Sequence, residues 1–219
     1  MASITGILAT LATAVVVGHS VQQRPITLVH VAGTGPRILV VGCIHGNEPA
    51  GIAIVRALER AHPKADLWLV PALNPDGLAA GTRQNVHGVD LNRNFPSLWQ
   101  HFGAPGSTYY SGPKPFSEPE TRAARDLILR VKPRYTIWYH QHLDVVWAYG
   151  RSTAAGRRYA QLAGMRFLHR SWLAGSATNW QNHLQGGGAS LTVELPAGAL
   201  SSAAVARHVR AVLGLAVRT

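Results

Sequence analysis

Short apolar runs that alternate with helical segments predict an α/β fold on a largely parallel sheet covered on both faces. Two further observations agree. A length of 219 residues suits one domain, or one domain behind a short leader, and 47% hydrophobic residues with 22 Gly and 13 Pro is a globular make-up. The polar residues of greatest chemical interest, His45, His140 and Glu194, fall at the C-terminal ends of predicted strands, where such sheets place their sites.

In chain order, the apolar run Ile7–Val17 has the length of a signal-peptide core, and Ala12-Thr13-Ala14 resembles a small-residue cleavage site. Read so, residues 1–14 are a leader, 15–219 form the single domain, and the protein is exported rather than cytoplasmic. Against this, no Lys or Arg precedes Arg24, and a buried N-terminal strand is the competing reading. The run is too short to cross a bilayer, so no stable membrane span is expected. Ile26–Val31 and Arg37–Ile44 read as strands joined by the turn Gly33-Thr34-Gly35-Pro36. Ile52, Val55, Ala57 and Leu58 recur at helical spacing and predict a helix from about Glu48 to Ala61. Asp66–Pro71 is a short buried strand.

No periodicity is visible from Ala72 to Phe116. A loop this long that carries Asn/Asp-rich motifs and several aromatics is expected to be ordered and functional. Ser117 and Glu120 then form a capping-box pattern at the start of a helix to about Val131. Strands Tyr135–His140 and Val145–Tyr149, helices Thr153–Ala163 and Thr178–Leu184, strand Ala189–Glu194 and helix Ser201–Leu215 complete the chain.

The net charge of +11 raises a nucleic-acid reading, but the arginines are spread along the chain and no nucleic-acid motif is present. The expectation is no nucleic-acid partner, and a basic surface that suits an anionic polymer such as a bacterial wall. The single cysteine, Cys43, follows the apolar run Ile38-Leu39-Val40-Val41 and is expected to be a buried thiol.

With only ten acidic residues, the placement of each carries weight. His45 and Glu48 lie three apart across a strand-to-helix junction, so both can face one point. A third ligand from a distant strand, His140, completes a His₂Glu set with one position left for water, the arrangement of catalytic zinc. His142 is the rival for that third place, and it is also a candidate for contacting substrate. Glu194 ends an apolar strand, where a carboxylate is costly unless paired or functional. Beside a metal-activated water it can take a proton and pass it to a leaving amine. In the long loop, Arg83 and Arg93 can clamp a substrate carboxylate or face a developing oxyanion, with Asp90 orienting one of these side chains.

These stretches together resemble the zinc carboxypeptidase family. The likeness rests on His45-Gly46-Asn47-Glu48-Pro49, Asn74-Pro75-Asp76-Gly77, Gly88–Pro96, Tyr110-Ser111-Gly112, Ser117-Glu118-Pro119-Glu120, His140 and Leu191–Leu195, in the family's order over roughly residues 17–196. Within the family it is similar to compact bacterial murein peptide amidases. The resemblance implies a three-layer α/β/α sandwich around a mixed, mostly parallel sheet of about eight strands. It implies one zinc ion held by His45, Glu48 and His140, Glu194 as general base, and Arg83 polarising the carbonyl. Asn92 and Arg93 would bind a substrate carboxylate. The substrate implied is a wall-derived peptide cut at the γ-D-glutamyl–diaminopimelate bond.

Two departures stand out. The stretch Phe167–Trp172 lacks the mobile tyrosine of the family's digestive members, and the specificity segment Gly175–Trp180 is this chain's own, with Thr178 and Asn179 as polar pocket candidates. Competing readings are a carboxypeptidase releasing C-terminal residues, a deacylase resembling the aspartoacylase and succinylglutamate desuccinylase group, and a wall-peptide-binding module without activity. The deacylases continue into a further domain, whereas this chain ends soon after Glu194.

Overall fold

The computed structural model describes residues 13–61 and 63–217. Eight strands form one sheet: β1 (Thr13–His19), β2 (Pro25–Val31), β3 (Arg37–Val41), β4 (Asp66–Val70), β5 (Tyr135–Gln141), β6 (Val145–Ala148), β7 (Arg166–His169) and β8 (Ala189–Leu195). Their order across the sheet is β1-β2-β4-β3-β5-β8-β6-β7. The central run β4-β3-β5-β8 is parallel, as is the pair β6-β7, while β1-β2, β2-β4 and β8-β6 are antiparallel. The mixed, mostly parallel sheet is as the resemblance implied.

Among the described residues six helices cover it: α1 (Gly51–Leu58), α2 (Pro75–Ala80), α3 (Pro119–Val131), α4 (Thr153–Ala163), α5 (Ala177–His183) and α6 (Ser202–Gly214). Alternating residues of β2, β3, β4 and β5 feed two separate cores. On one face Val40, Ile137, Tyr139, Val193 and Leu195 pack against Ile54 and Val55 of α1, Tyr159 of α4 and Val212 of α6. On the other, Leu39, Val41 and Trp138 pack against Leu127 and Ile128 of α3 and Trp180 of α5. That period-2 division of a buried strand makes the molecule three layers.

Several sequence expectations need correction. Residues 1–12, which hold most of the supposed leader, lie outside the described residues. Thr13–His19 behind them is a largely exposed edge strand rather than a buried one. Strands β2 and β3 are not sheet neighbours, because β4 inserts between them. The first helix begins at Gly51, not Glu48, since residues 45–48 form a turn closed by the Glu48 amide donating to the His45 carbonyl at 3.0 Å. The long loop contains α2, capped by Asn74 Oδ1 accepting from the Gly77 amide, and a 3₁₀ turn at Leu91–Arg93; both are too short to show periodicity.

The capping box of α3 does not form. Asn94 does that work from across the molecule, its Oδ1 accepting from the Glu118 amide at 3.3 Å and the Thr121 hydroxyl at 2.8 Å. Glu120 turns inward and accepts from the Val21 amide and the Asn85 side chain. Strand β7 was missed, because four residues at a sheet edge carry no alternation and are fixed by pairing with β6.

The chain leaves β3 toward β4 on one side and later returns to β5 on the other. This reversal opens a crevice at the C-terminal ends of β3 and β5, and the candidate site lies there.

Candidate active site

His45 sits four residues past the end of β3, in a turn held by two backbone bonds, Leu73 N–H to Cys43 O (2.8 Å) and Glu48 N–H to His45 O (3.0 Å). Gly46 is required in this turn: a Cβ there would overlap the backbone of Gly77 and Leu78 at the start of α2. His140 and Glu194 are direct partners across the parallel pair β5-β8, so their side chains leave the same face of the sheet side by side.

These placements bring His45, Glu48 and His140, all buried, within ligating distance of one point. His45 Nδ1 lies 3.0 Å from Glu48 Oε1, His140 Nδ1 lies 2.9 Å from Glu48 Oε2, and the two Nδ1 atoms are 3.2 Å apart. His142 is exposed and outside this cluster, though it lines the adjoining cavity.

The outer contacts set the chemistry of the cluster. Asp90, fully buried, accepts from His45 Nε2 at 2.9 Å. That contact keeps a proton on His45 Nε2, so Nδ1, which faces Glu48, is the nitrogen that would give up its proton to a metal. Asp90 also caps the 3₁₀ turn through the Asn92 amide (2.9 Å) and takes a two-point contact from Arg83, Nε at 3.1 Å and Nη2 at 2.9 Å. Arg83 Nη1 reaches on to Glu48 Oε1 at 2.8 Å. The Gln141 amide donates to Glu48 Oε2 at 3.2 Å.

Burial opposes ionisation of Glu48, but hydrogen bonds from His140 and His45 hold its carboxyl well below the usual range. Asp90 is likewise held low against its burial by His45 and Arg83, and His45 is raised, because the pull of Asp90 and Glu48 outweighs its burial. Two imidazole nitrogens at hydrogen-bond distance around one carboxylate, with no thiolate, form a donor set that fits a divalent cation of the zinc type. Cys43 takes no part: burial and the Glu48 charge push its thiol up to about 12.

A cavity of about 490 Å³ opens over the cluster, with Glu48, Arg83, Arg93 and Glu194 on its wall. Glu194 is half-buried, and its Oε2 is buried without a protein partner. Such an orphan is costly in a merely structural carboxylate. Asn92 and Arg93 both line the cavity. Asn92 Oδ1 accepts from the Ala177 amide at the start of α5, and its Nδ2 lies 3.3 Å from His140 Nε2. Arg93 is lowered from the ordinary guanidinium range by burial and by the neighbouring Arg83.

Of the two pocket candidates in α5, Thr178 reaches the wall. Asn179 does not: its amide is committed to Ser97 Oγ and the Leu173 carbonyl, so it braces the loop before α5. The sequence reading missed Tyr109, Trp147 and Trp172 on the wall. An aromatic-rich loop was the available signal for Tyr109; the two tryptophans are brought in by strand order alone.

A model of the family described as zinc carboxypeptidase matches residues 7–186. The chain belongs to the zinc carboxypeptidase family. That family uses one zinc ion, and the His45, Glu48 and His140 cluster suits it. Murein peptide amidase A of Escherichia coli K12 is 34% identical over 131 aligned residues, covering 49% of this chain and 50% of that protein. The aligned part thus spans about half the length of this curated relative. The crystal structure of a murein-tripeptide amidase from E. coli O157 superposes with a TM-score of 0.76 at 26% identity, covering 94% of this chain and 92% of the other. Carboxypeptidase A of Helicoverpa armigera, at 19% identity, shares the fold with a TM-score of 0.78 over 94% of this chain and 68% of its own.

Proposed function

We propose that this protein hydrolyses an amide bond in bacterial wall peptides, at the γ-D-glutamyl–diaminopimelate linkage. The observation that carries the reading is the cavity itself: three convergent ligands, an unpartnered Glu194 carboxylate beside them, and two arginines on the same wall. Likeness to two murein peptide amidases supports the substrate class.

His45 and His140 through Nδ1, with the Glu48 carboxylate, would hold zinc. When bound there, the ion supplies Lewis-acid charge to the scissile carbonyl and acidifies a water molecule at the site. Glu194 accepts the proton of the attacking water and returns it to the leaving amine nitrogen. Arg83 keeps N–H groups beyond the three that bind Asp90 and Glu48, and these face the oxyanion that develops on the carbonyl. Arg93, with Asn92, holds the carboxylate on the leaving-group side, which fixes the direction in which a peptide enters. Asp90 orients His45 and Arg83 together, so one buried carboxylate aligns a metal ligand and an electrophilic group.

Residues 1–14, read as a leader, would bring the protein to the compartment that holds such peptides; N-terminal sequencing of secreted material tests that part. No helix among the described residues is long and apolar enough to cross a membrane. The test of the activity is incubation with diaminopimelate-containing muropeptides and identification of products by mass. Release of free diaminopimelate, or of a peptide beginning with it, is expected. Release of single C-terminal residues from ordinary peptides instead would reassign the protein as a carboxypeptidase, and binding without product would make it a recognition module.

A further inference from the structure

Among the described residues Tyr109 is the one tyrosine on the cavity wall. It comes from the exposed stretch 101–109, yet its position is built rather than loose. Its neighbour Tyr110 is buried, with its ring edge-on to His101, and the Tyr110 carbonyl accepts from the Asp90 amide at 2.8 Å. On the other side, the Gly106 amide donates to Gly88 O at 3.1 Å, and Gln84 Nε2 donates to Ser107 O. The turn that holds Tyr109, closed by the Tyr110 amide donating to Ser107 O at 3.1 Å, sets its ring over the arginines. The guanidinium carbon of Arg93 lies 5.2 Å from the ring centroid and that of Arg83 lies 5.4 Å from it. Both fall within cation–π range.

The two arginines do not depend on this ring equally. Arg83 is fixed by three hydrogen bonds to Asp90 and Glu48. Arg93 has one, from Nη1 to the carbonyl of its neighbour Asn92. Two like charges side by side repel, and an electron-rich ring close to both offsets part of that repulsion. Removing the ring therefore leaves Arg83 in place and frees Arg93 to swing away. Tyr109 and Arg93 also line a second, smaller cavity of about 270 Å³ beyond the first, bounded by Phe102 and Leu173, which gives a freed Arg93 somewhere to go.

We propose that Tyr109 is a positioning residue for the substrate carboxylate: its ring, rather than its hydroxyl, holds the Arg93 guanidinium in clamping geometry. This rests on the reading of Arg93 as the carboxylate site. Substrate affinity then depends on the ring, while the chemical step, which uses Arg83 and Glu194, does not.

The test uses the zinc-loaded full chain and the peptide L-alanyl-γ-D-glutamyl-diaminopimelate, as the free acid and with the diaminopimelate α-carboxylate amidated. Tyr109→Phe is expected to stay within about twofold of the parent in kcat and KM. Tyr109→Leu, which keeps apolar bulk without a π face, is expected to raise KM for the free acid about tenfold with kcat little changed, while the amide is affected far less. Tyr109 is 46% exposed, so both variants are expected to fold, and equal zinc content and thermal midpoint confirm it. A parent enzyme that cleaves acid and amide alike overturns the carboxylate reading and this inference with it. A parent that prefers the acid beside a Tyr109→Leu variant with the same preference overturns this inference alone, as does a Tyr109→Phe variant as impaired as Tyr109→Leu.

Discussion

Replacing Asp90 with Asn tests whether one buried carboxylate organises the site. Asp90 is fully buried and makes four contacts: His45 Nε2, the Asn92 amide, and Nε and Nη2 of Arg83. Asn keeps the size and one acceptor oxygen, which can still serve His45 and the Asn92 amide. Its NH₂ group then faces two donors of Arg83, which lose their acceptor. Two effects follow. Without a negative charge behind it, the His45 ring is a weaker donor at Nδ1, and outer-shell changes of this kind cost roughly 10–100-fold in metal affinity. Removing one partner of a buried ion pair costs about 3–5 kcal/mol, and the lower end applies because Arg83 retains Glu48 and is partly solvated. Zinc affinity by competition with a chromophoric chelator, and urea unfolding of the metal-free protein, read the two separately. An Asp90→Asn variant with zinc affinity within about twofold of the parent would refute the claim that Asp90 sets the state of His45.

Three further outcomes are expected. Glu194→Gln should keep stoichiometric zinc by metal analysis while turnover on muropeptides falls by about 100-fold or more, the scale of a lost general base; near-native turnover removes Glu194 from that role. Gly46→Ala should lower stability by about 3 kcal/mol and abolish zinc retention, because the new methyl meets backbone atoms of Gly77 and Leu78 that cannot yield cheaply; thermal unfolding with metal analysis checks both. His208, buried against Tyr159 on the opposite face of the sheet, is lowered to about 4 by burial and by Arg207. A group held neutral in the fold gives stability that is full above its unfolded value of about 6.5 and is lost as pH falls toward 4, at most about 3 kcal/mol in all. His208→Gln should flatten this part of the stability–pH curve in urea titrations between pH 7 and 4, and an unchanged slope would refute it.

The elements that read correctly from sequence are those whose residues carry their own signal. Helix α4 shows helical spacing, β3 carries the unbroken apolar run Ile38–Val41, and β5 and β8 are rich in β-branched and aromatic residues with both faces largely buried. The elements misread were decided by distant partners. The capping of α3 depends on Asn94 reaching it from the loop rather than on Ser117 and Glu120, which are near in sequence. The edge strand β7 exists through its pairing with β6, and β4 entered between β2 and β3 although the turn at 33–36 suggested neighbours.

The same division holds at the site. The sequence by itself determined the family, the one-zinc cofactor and the residue types of the donor set, because His-x-x-Glu, the later histidine and the final strand-end glutamate are local patterns in a fixed order. It left His140 and His142 as rivals, offered Asn179 as a pocket residue, and was silent on Tyr109. Only the tertiary structure decided these. His140 joins the cluster because strand register sets it beside Glu194; Asn179 is spent on Ser97 and Leu173; and Tyr109 stands over Arg83 and Arg93 because Tyr110 is anchored to Asp90. Strand order, register and loop anchoring arise from contacts between residues far apart in the chain, and no local pattern encodes which of two nearby side chains those contacts will turn toward the site.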